Sequence, residues 1–246
     1  MTARLAVVTG GSRGIGFGIA MRLAADGWAL LVTARDADRL AAARAELLAA
    51  GAAGVRTVTA DLAADAGVQA IVDAAVEWTD RVDALVLSAG VGTAGPVATL
   101  PVARYDKTFA VDVRAPFLLL QGMLPQLRAA AAANPALGAR VVALASITGV
   151  HAEPGLAAYG AAKAALISLL ETFNAEESVG GVSATAISPG YVDTDMSAWT
   201  RGTVPQDAMI PVDDIAELAA GLLRLSARSV IPNVVVGRAG GDGRRA

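Results

Sequence analysis

Leu5-Ala6-Val7-Val8-Thr9-Gly10-Gly11-Ser12-Arg13-Gly14-Ile15-Gly16 decides how the chain folds. Its first five residues are apolar and β-prone with no polar alternation, the mark of a strand buried on both faces. The glycine-rich turn follows at once, and a helical pattern then runs through Ala24. Strand, glycine turn and helix together bring backbone N–H groups at a helix N-terminus to where a phosphate can meet them. The spacing is neither G-x-G-x-x-G nor a P-loop, which ends in G-K-[ST]. It is T-G-x-x-x-G-I-G.

The next segments repeat the theme. Ala29–Ala34 reads as a second strand, with Arg35 behind it and a helix over 38–50 stopped by Gly51. In a dinucleotide-binding unit the end of this strand faces the adenosine ribose. An acid there accepts from the 2′-hydroxyl, whereas an arginine accommodates a 2′-phosphate. Here Ala34 and Arg35 come before any acid, and Arg13 in the glycine turn converges on the same spot. The pair points to NADP(H) over NAD(H), although Arg35 could also simply face solvent. Further strands are expected at 55–60, ending in Asp61-Leu62, then at Ala84–Leu87 before Ser88-Ala89-Gly90. Others follow at 140–145 before Ser146, at 182–187 before Ser188-Pro189-Gly190, and at Asn233–Val236. Helices are expected at 66–78 and 102–133, over a segment that carries Tyr159 and Lys163 and runs to about 178, and from Pro211 as first helical residue. Residues 191–209 lack periodicity. Strict β/α alternation specifies an α/β fold: one domain over 1–246, a Rossmann-type doubly wound parallel sheet of about seven strands. Ligands of such sheets lie beyond the carboxyl ends of the strands. Gly10 to Gly16, Arg35, Asp61, Ser88 to Gly90, Ser146 and Pro189-Gly190 all fall on that edge, which makes them one candidate site.

Tyr159-Gly160-Ala161-Ala162-Lys163 falls in an expected helix, where phenol and ammonium sit one turn apart on one face. A neighbouring cation favours the phenolate and lowers a tyrosine pKa from its usual value of about 10. With three tyrosines and two lysines in the chain, the pairing is not a by-product of composition. Alone, the pair would read as a solvated helix face; its place on the ligand edge makes it a candidate acid/base element.

Bulk composition narrows the partners. The 246 residues are 54% apolar, 17% charged and 4% aromatic, enough for a large core of Ala, Val, Leu and Ile. A net charge of −3 and a pI near 5.2 argue against nucleic acid or an anionic membrane as partner. There is no cysteine, which removes disulfides, thiolate catalysis and Cys-ligated metal; the single His151 removes a multi-His centre. A mean hydropathy of +0.52 invites a membrane reading. The longest uncharged run, 84–103, is broken by Gly90, Gly92, Gly95, Pro96 and Pro101, so it fits no span of ~20 residues. Residues 1–9 lack a small-residue cleavage site before Gly10. The expectation is a cytoplasmic protein.

The combination Thr9-Gly10-(x)3-Gly14-Ile15-Gly16, Asp61-Leu62, Ala89-Gly90, Ser146, Tyr159-(x)3-Lys163 and Pro189-Gly190-(x)3-Thr194 resembles the short-chain dehydrogenase/reductase family, in its compact form. The motifs match in order and span nearly the whole chain. The resemblance implies hydride transfer between nicotinamide and a carbonyl or alcohol carbon. It makes Tyr159 the general acid of reduction, Lys163 the group that lowers its pKa and holds the nicotinamide ribose, and Ser146 the partner of the substrate oxygen. It assigns the carboxamide to the backbone at Val192 and the Thr194 hydroxyl, adenine to Asp61 and Leu62, and the glycine turn, with Ser12, to the phosphates. Arg13 and Arg35 match the basic positions of NADP-preferring members.

Three departures stand out. The family's N-N-A-G reads Leu87-Ser88-Ala89-Gly90, keeping the small residues and losing both amides. Its fourth catalytic residue, an Asn that holds a water in a proton relay to the lysine, is Asp112 here. An ionised Asp112 would stabilise the ammonium and tune Tyr159. The usual T-G…D-G-G ending is absent, with Ile231-Pro232-Asn233 and a tail over 240–246 in its place. Family members associate into dimers or tetramers, and a homodimer or homotetramer is expected here. The substrate reads as a small, apolar carbonyl or alcohol compound, because Tyr191, Met196, Trp199 and Met209 fall in the aperiodic segment where the family covers its substrate. They could equally pack down, and His151 could face either substrate or solvent. A carrier-protein-linked substrate would need a basic docking face. Between Ala115 and Gly180 only Arg128, Arg140 and Lys163 stand against Glu153, Glu171, Glu176 and Glu177. A non-catalytic NADP(H)-binding regulator on the same fold is the alternative; joint presence of Ser146, Tyr159 and Lys163 favours the enzyme.

Overall fold

β1 (Leu5–Thr9) shows how the sheet is buried. Leu5 and Val7 face one core and Ala6 and Val8 the other, as the two-residue period of a strand requires. A computed structural model describes residues 3–241; positions 242–246 of the tail lie outside the described residues. Six more strands join β1: β2 (Ala29–Ala34), β3 (Gly54–Thr59), β4 (Ala84–Leu87), β5 (Ala139–Leu144), β6 (Val182–Pro189) and β7 (Asn233–Val236). All pairings are parallel, in the order β3-β2-β1-β4-β5-β6-β7. This is the Rossmann-type α/β sheet expected from the alternation. The chain reverses its direction of travel between β1 and β4, and the crevice opens there.

Helices α1 (Gly14–Ala25), α2 (Ala37–Ala49), α3 (Asp65–Trp78), α4 (Val102–Phe109), α5 (Ala115–Ala133), α6 (Ala157–Glu177) and α7 (Val212–Leu222) cover both faces. Ile19, Leu23, Leu40, Leu47, Ile215 and Leu222 of α1, α2 and α7 fill one core with the β1 residues Ala6 and Val8. Ile71, Leu119, Met123, Leu127, Leu166 and Leu170 of α3, α5 and α6 fill the other. The predicted stop at Gly51 is a residue at φ +109°, a conformation natural only to glycine.

Several boundaries shift by one or two residues, and two shifts have a cause. Asp36 accepts a hydrogen bond from Arg39 N at 3.0 Å, so α2 begins at Ala37. β6 extends to Pro189 because β7 pairs with it there. Pro211 caps α7 from outside instead of forming its first residue. The larger correction concerns the helix expected over 102–133. It is interrupted by a π-helical turn, Ala110–Arg114, whose central residue is Asp112. Among the described residues no helix is long and apolar enough to cross a membrane.

Candidate active site

The carboxyl ends of the strands open into one groove of about 1660 Å³. The residues expected at the site line it, from Gly10 and Arg35 at one end to Ser146, Tyr159, Lys163 and Thr194 at the other. Asp112 is the exception. It lies behind the groove wall, against Lys163 and Val91, which line the groove.

The floor depends on the absence of side chains. Gly10 adopts φ +65°, and a Cβ there would stand 2.9 Å from Ala89 Cα. A Cβ on Gly16 would lie 2.5 Å from Gly10 O, so the turn and the first turn of α1 touch backbone to backbone. Thr9 fastens the floor. Its hydroxyl donates to Val86 O (3.3 Å) and accepts from Ser88 N and Ala89 N (both 3.1 Å), tying the end of β1 to the end of β4. Arg13 occupies the N-cap of α1, and no side chain caps that end, so its orphan N–H groups face the groove. An open helix N-terminus, a turn pared to backbone and two flanking arginines fit the diphosphate and adenosine of a dinucleotide. Beyond β3, Asp61 is held by the turn that leads into α3, accepting from Ala63 N at 3.0 Å, with Leu62 buried beside it.

At the other end three side chains meet. Ser146 Oγ accepts from Thr148 N (3.2 Å) and Thr148 Oγ1 (2.9 Å), so its own proton is directed to the groove side, where the Tyr159 oxygen takes it. Lys163, 4% exposed, donates to Leu144 O at 2.9 Å and stands 3.2 Å from Asp112 Oδ2, with Asp112 1% exposed. Two of its three protons are thereby directed into the wall, and one remains for the groove. Asp112 Oδ1 accepts from Val91 N at 2.8 Å, which ties the π-helical turn to the segment after β4. The expected water relay is therefore modified: the carboxylate meets the ammonium directly. Gly90 packs directly over the ion pair: a Cβ there would lie in ordinary contact, 3.4 Å from Lys163 Nζ and 3.5 Å from both carboxylate oxygens.

Burial outweighs the pull with which Lys163, as expected, lowers the Tyr159 pKa. Lys163 Nζ lies 5.4 Å from the centre of the Tyr159 ring. The phenol is nonetheless raised above its ordinary value, first by burial, with Asp112 adding to the rise; Lys163 and a hydrogen bond from Ser146 pull against it. Burial disfavours the Lys163 ammonium, but Asp112 and then Tyr159 outweigh it, and its pKa rises. Both directions keep the phenol neutral and the ammonium charged at neutral pH.

The aperiodic segment is a lid with its ends pinned. Ile210 N donates to Tyr191 O and Asp193 N to Ile210 O, both at 2.9 Å. Met209 packs down, 5% exposed, while Met196 and Trp199 remain 46% and 63% exposed over the groove. Trp199 meets Tyr191 edge to face at 6.0 Å. Tyr191 donates to Glu153 Oε1 at 3.2 Å, and burial with this carboxylate holds its pKa at about 12. His151 is half-buried and outside the groove lining. Sequence reasoning missed Thr148, although Ser-x-Thr at a strand end is a recognisable turn pattern. It also missed Asp195, whose carboxylate lies 2.8 Å from Arg13 Nη1; no local pattern announces a contact between residues 182 positions apart.

The family model for short chain dehydrogenase matches residues 4–204. The chain belongs to the short-chain dehydrogenase family. A Pseudomonas aeruginosa relative described as the rhamnolipids biosynthesis 3-oxoacyl-[acyl-carrier-protein] reductase is 36% identical over 200 residues, 80% of this chain and 76% of that protein. A solved Pseudomonas aeruginosa RhlG/NADP active-site complex is 30% identical, with a TM-score of 0.88 over 99% of this short-chain dehydrogenase and 97% of that chain. A 3-oxoacyl-[acyl-carrier protein] reductase from Brucella melitensis, in complex with NAD, is 27% identical with a TM-score of 0.85 over 96% of each chain.

Proposed function

We propose that the protein is an NADP(H)-dependent reductase of a small carbonyl compound, with Tyr159 as general acid. The observation that carries this reading is the meeting of Ser146, Tyr159 and Lys163 at one end of a groove whose other end is the glycine turn. The nicotinamide, when bound, supplies the hydride. Ser146, its acceptor capacity taken by Thr148, donates to the substrate oxygen and orients the carbonyl. Tyr159 gives the phenolic proton to that oxygen as negative charge develops on it, a contribution of about 10²–10⁴ in rate. The raised pKa keeps this proton in place at neutral pH. Lys163 then stabilises the phenolate and has one N–H left for the nicotinamide ribose. Val192 and Thr194 fix the carboxamide.

Asp112 is a positioning residue. It touches neither groove nor substrate, and it holds the Lys163 ammonium in place from behind. Its charge keeps Tyr159 protonated to higher pH, the state from which reduction starts.

The preference for NADP(H) rests on Arg13 and Arg35. The nearest acid, Asp36, is committed to its own helix, accepting from Arg39 N at 3.0 Å and pairing with Arg39 Nε at 3.4 Å. Most of the solved neighbours that carry a dinucleotide hold NADP or NADPH, and one holds NAD, which leans the same way. The exposed Met196 and Trp199 suit an apolar substrate. By family likeness the protein works as a homodimer or homotetramer.

The test is oxidation of NADPH against a panel of ketones, aldehydes and β-ketoacyl thioesters, with Tyr159→Phe as control. Turnover abolished by Tyr159→Phe supports the reading. Tight NADPH binding without turnover on any compound would turn it to a regulatory, non-catalytic protein.

A further inference from the structure

Arg13 does not face empty solvent: its guanidinium lies 2.8 Å from Asp195 Oδ2, with the two side chains 56% and 73% exposed. The pair crosses from the glycine turn to the lid. Asp195 opens the short helical turn Asp195–Thr200, which carries Met196 and Trp199. The preceding Thr194 lies against the same floor, since a Cβ on Gly14 would stand 3.5 Å from Thr194 Cγ2. We propose that Asp195 is a cofactor-selectivity residue: its carboxylate occupies the guanidinium that a 2′-phosphate would use, so NADP(H) has to displace it and NAD(H) does not. This inference rests on the reading of Arg13 as a phosphate ligand.

The surroundings single out this one acid. Asp193, two residues earlier, is already held by Gln206 Nε2 (2.8 Å) and Arg201 Nη2 (3.5 Å), and Asp36 by Arg39. Among the described residues Arg35, the other expected phosphate ligand, has no carboxylate partner. One of the two cations at the adenosine end is therefore free and the other engaged. The engaged one is held by a singly charged group in water, a contact that contributes little. A phosphate brings about −1.5 to −2 charges and three acceptor oxygens and wins the exchange. The displacement still subtracts from the affinity for NADP(H), and only for the phosphorylated cofactor.

The experiment is calorimetric titration of NADPH and NADH into the wild type, Asp195→Asn, Asp195→Ala, Arg13→Ala and the Arg13→Ala/Asp195→Asn double variant. Both side chains are exposed, so each variant is expected to fold. Asp195→Asn and Asp195→Ala should tighten NADPH about two- to fivefold, leave NADH unchanged, and lose their effect when Arg13 is absent. If Arg13→Ala selectively weakens NADPH while both Asp195 variants leave it unchanged, or tighten NADH equally, Asp195 is no competitor and the proposal falls alone. If Arg13→Ala leaves the NADPH-to-NADH ratio unchanged, the reading of Arg13 falls and takes the proposal with it.

Discussion

Asp112 Oδ2 stands 3.2 Å from Lys163 Nζ, and both groups are sealed from solvent. Asn in place of Asp112 would keep the shape and remove the charge. Because Asp112 contributes to the raised Tyr159 pKa, its neutralisation lowers that pKa. Reduction uses the protonated phenol, so its rate falls as pH rises through this pKa. Asp112→Asn should move the alkaline limb of the kcat profile for reduction to lower pH, and oxidation should begin to gain at lower pH as well. An unchanged profile would remove Asp112 from the mechanism.

Deleting the side chain is a different experiment. Asp112→Ala leaves a buried ammonium with only Leu144 O as partner. Breaking one half of a buried ion pair costs about 3–5 kcal/mol. Urea denaturation should show a loss of that order for Asp112→Ala and a smaller one for Asp112→Asn.

The glycine turn offers a test in which two effects oppose. Gly16 lies inside α1, where alanine is worth up to about 1 kcal/mol over glycine. Its Cβ would sit 2.5 Å from Gly10 O, a contact with backbone that cannot rotate away. The clash decides the sign: Gly16→Ala should weaken dinucleotide binding at least about tenfold by fluorescence titration. Affinity unchanged by this substitution would show that the turn is not the cradle.

Arg140 lies at the opposite, amino end of the sheet and bears on stability alone. It is 4% exposed and donates to Ser183 Oγ (2.5 Å), Ser229 O (2.8 Å), Leu225 O (3.2 Å) and Ser226 O, with no carboxylate partner among the described residues. Burial, with nearby Arg4 second, lowers its pKa, yet it stays charged at any ordinary pH. Arg140→Met removes the donors that satisfy these oxygens beyond α7. Stability should drop by about 2–4 kcal/mol in denaturant, while the KM of the remaining folded enzyme stays within twofold, roughly the scatter of distant, independent sites.

The sheet was readable because parallel strands covered on both faces appear as unbroken apolar runs, each followed by its helix. The edge where the site forms could be read for the same reason, since topology alone places Ser146, Tyr159 and Lys163 beside the glycine turn. The π-helical turn was not readable: an extra residue across 110–114 leaves the apolar pattern of the flanking helices intact. The net direction of the Tyr159 shift was missed because spacing reveals the cation and hides the burial. Arg13–Asp195 and Tyr191–Glu153 join segments far apart in sequence, and no residue type in either pair signals its partner.

The π-helical turn at Ala110–Arg114 sets the rotational phase of everything before it relative to everything after it. Each residue of a regular helix advances about 100° around the axis. A one-residue deletion in this turn would heal the helix and twist α4 against α5 by roughly that angle. The aim of the Asp112 carboxylate is thus stored in a local surplus of chain, and a single-codon deletion would retune the acid/base centre while turning Arg104 of α4 away from the groove it lines.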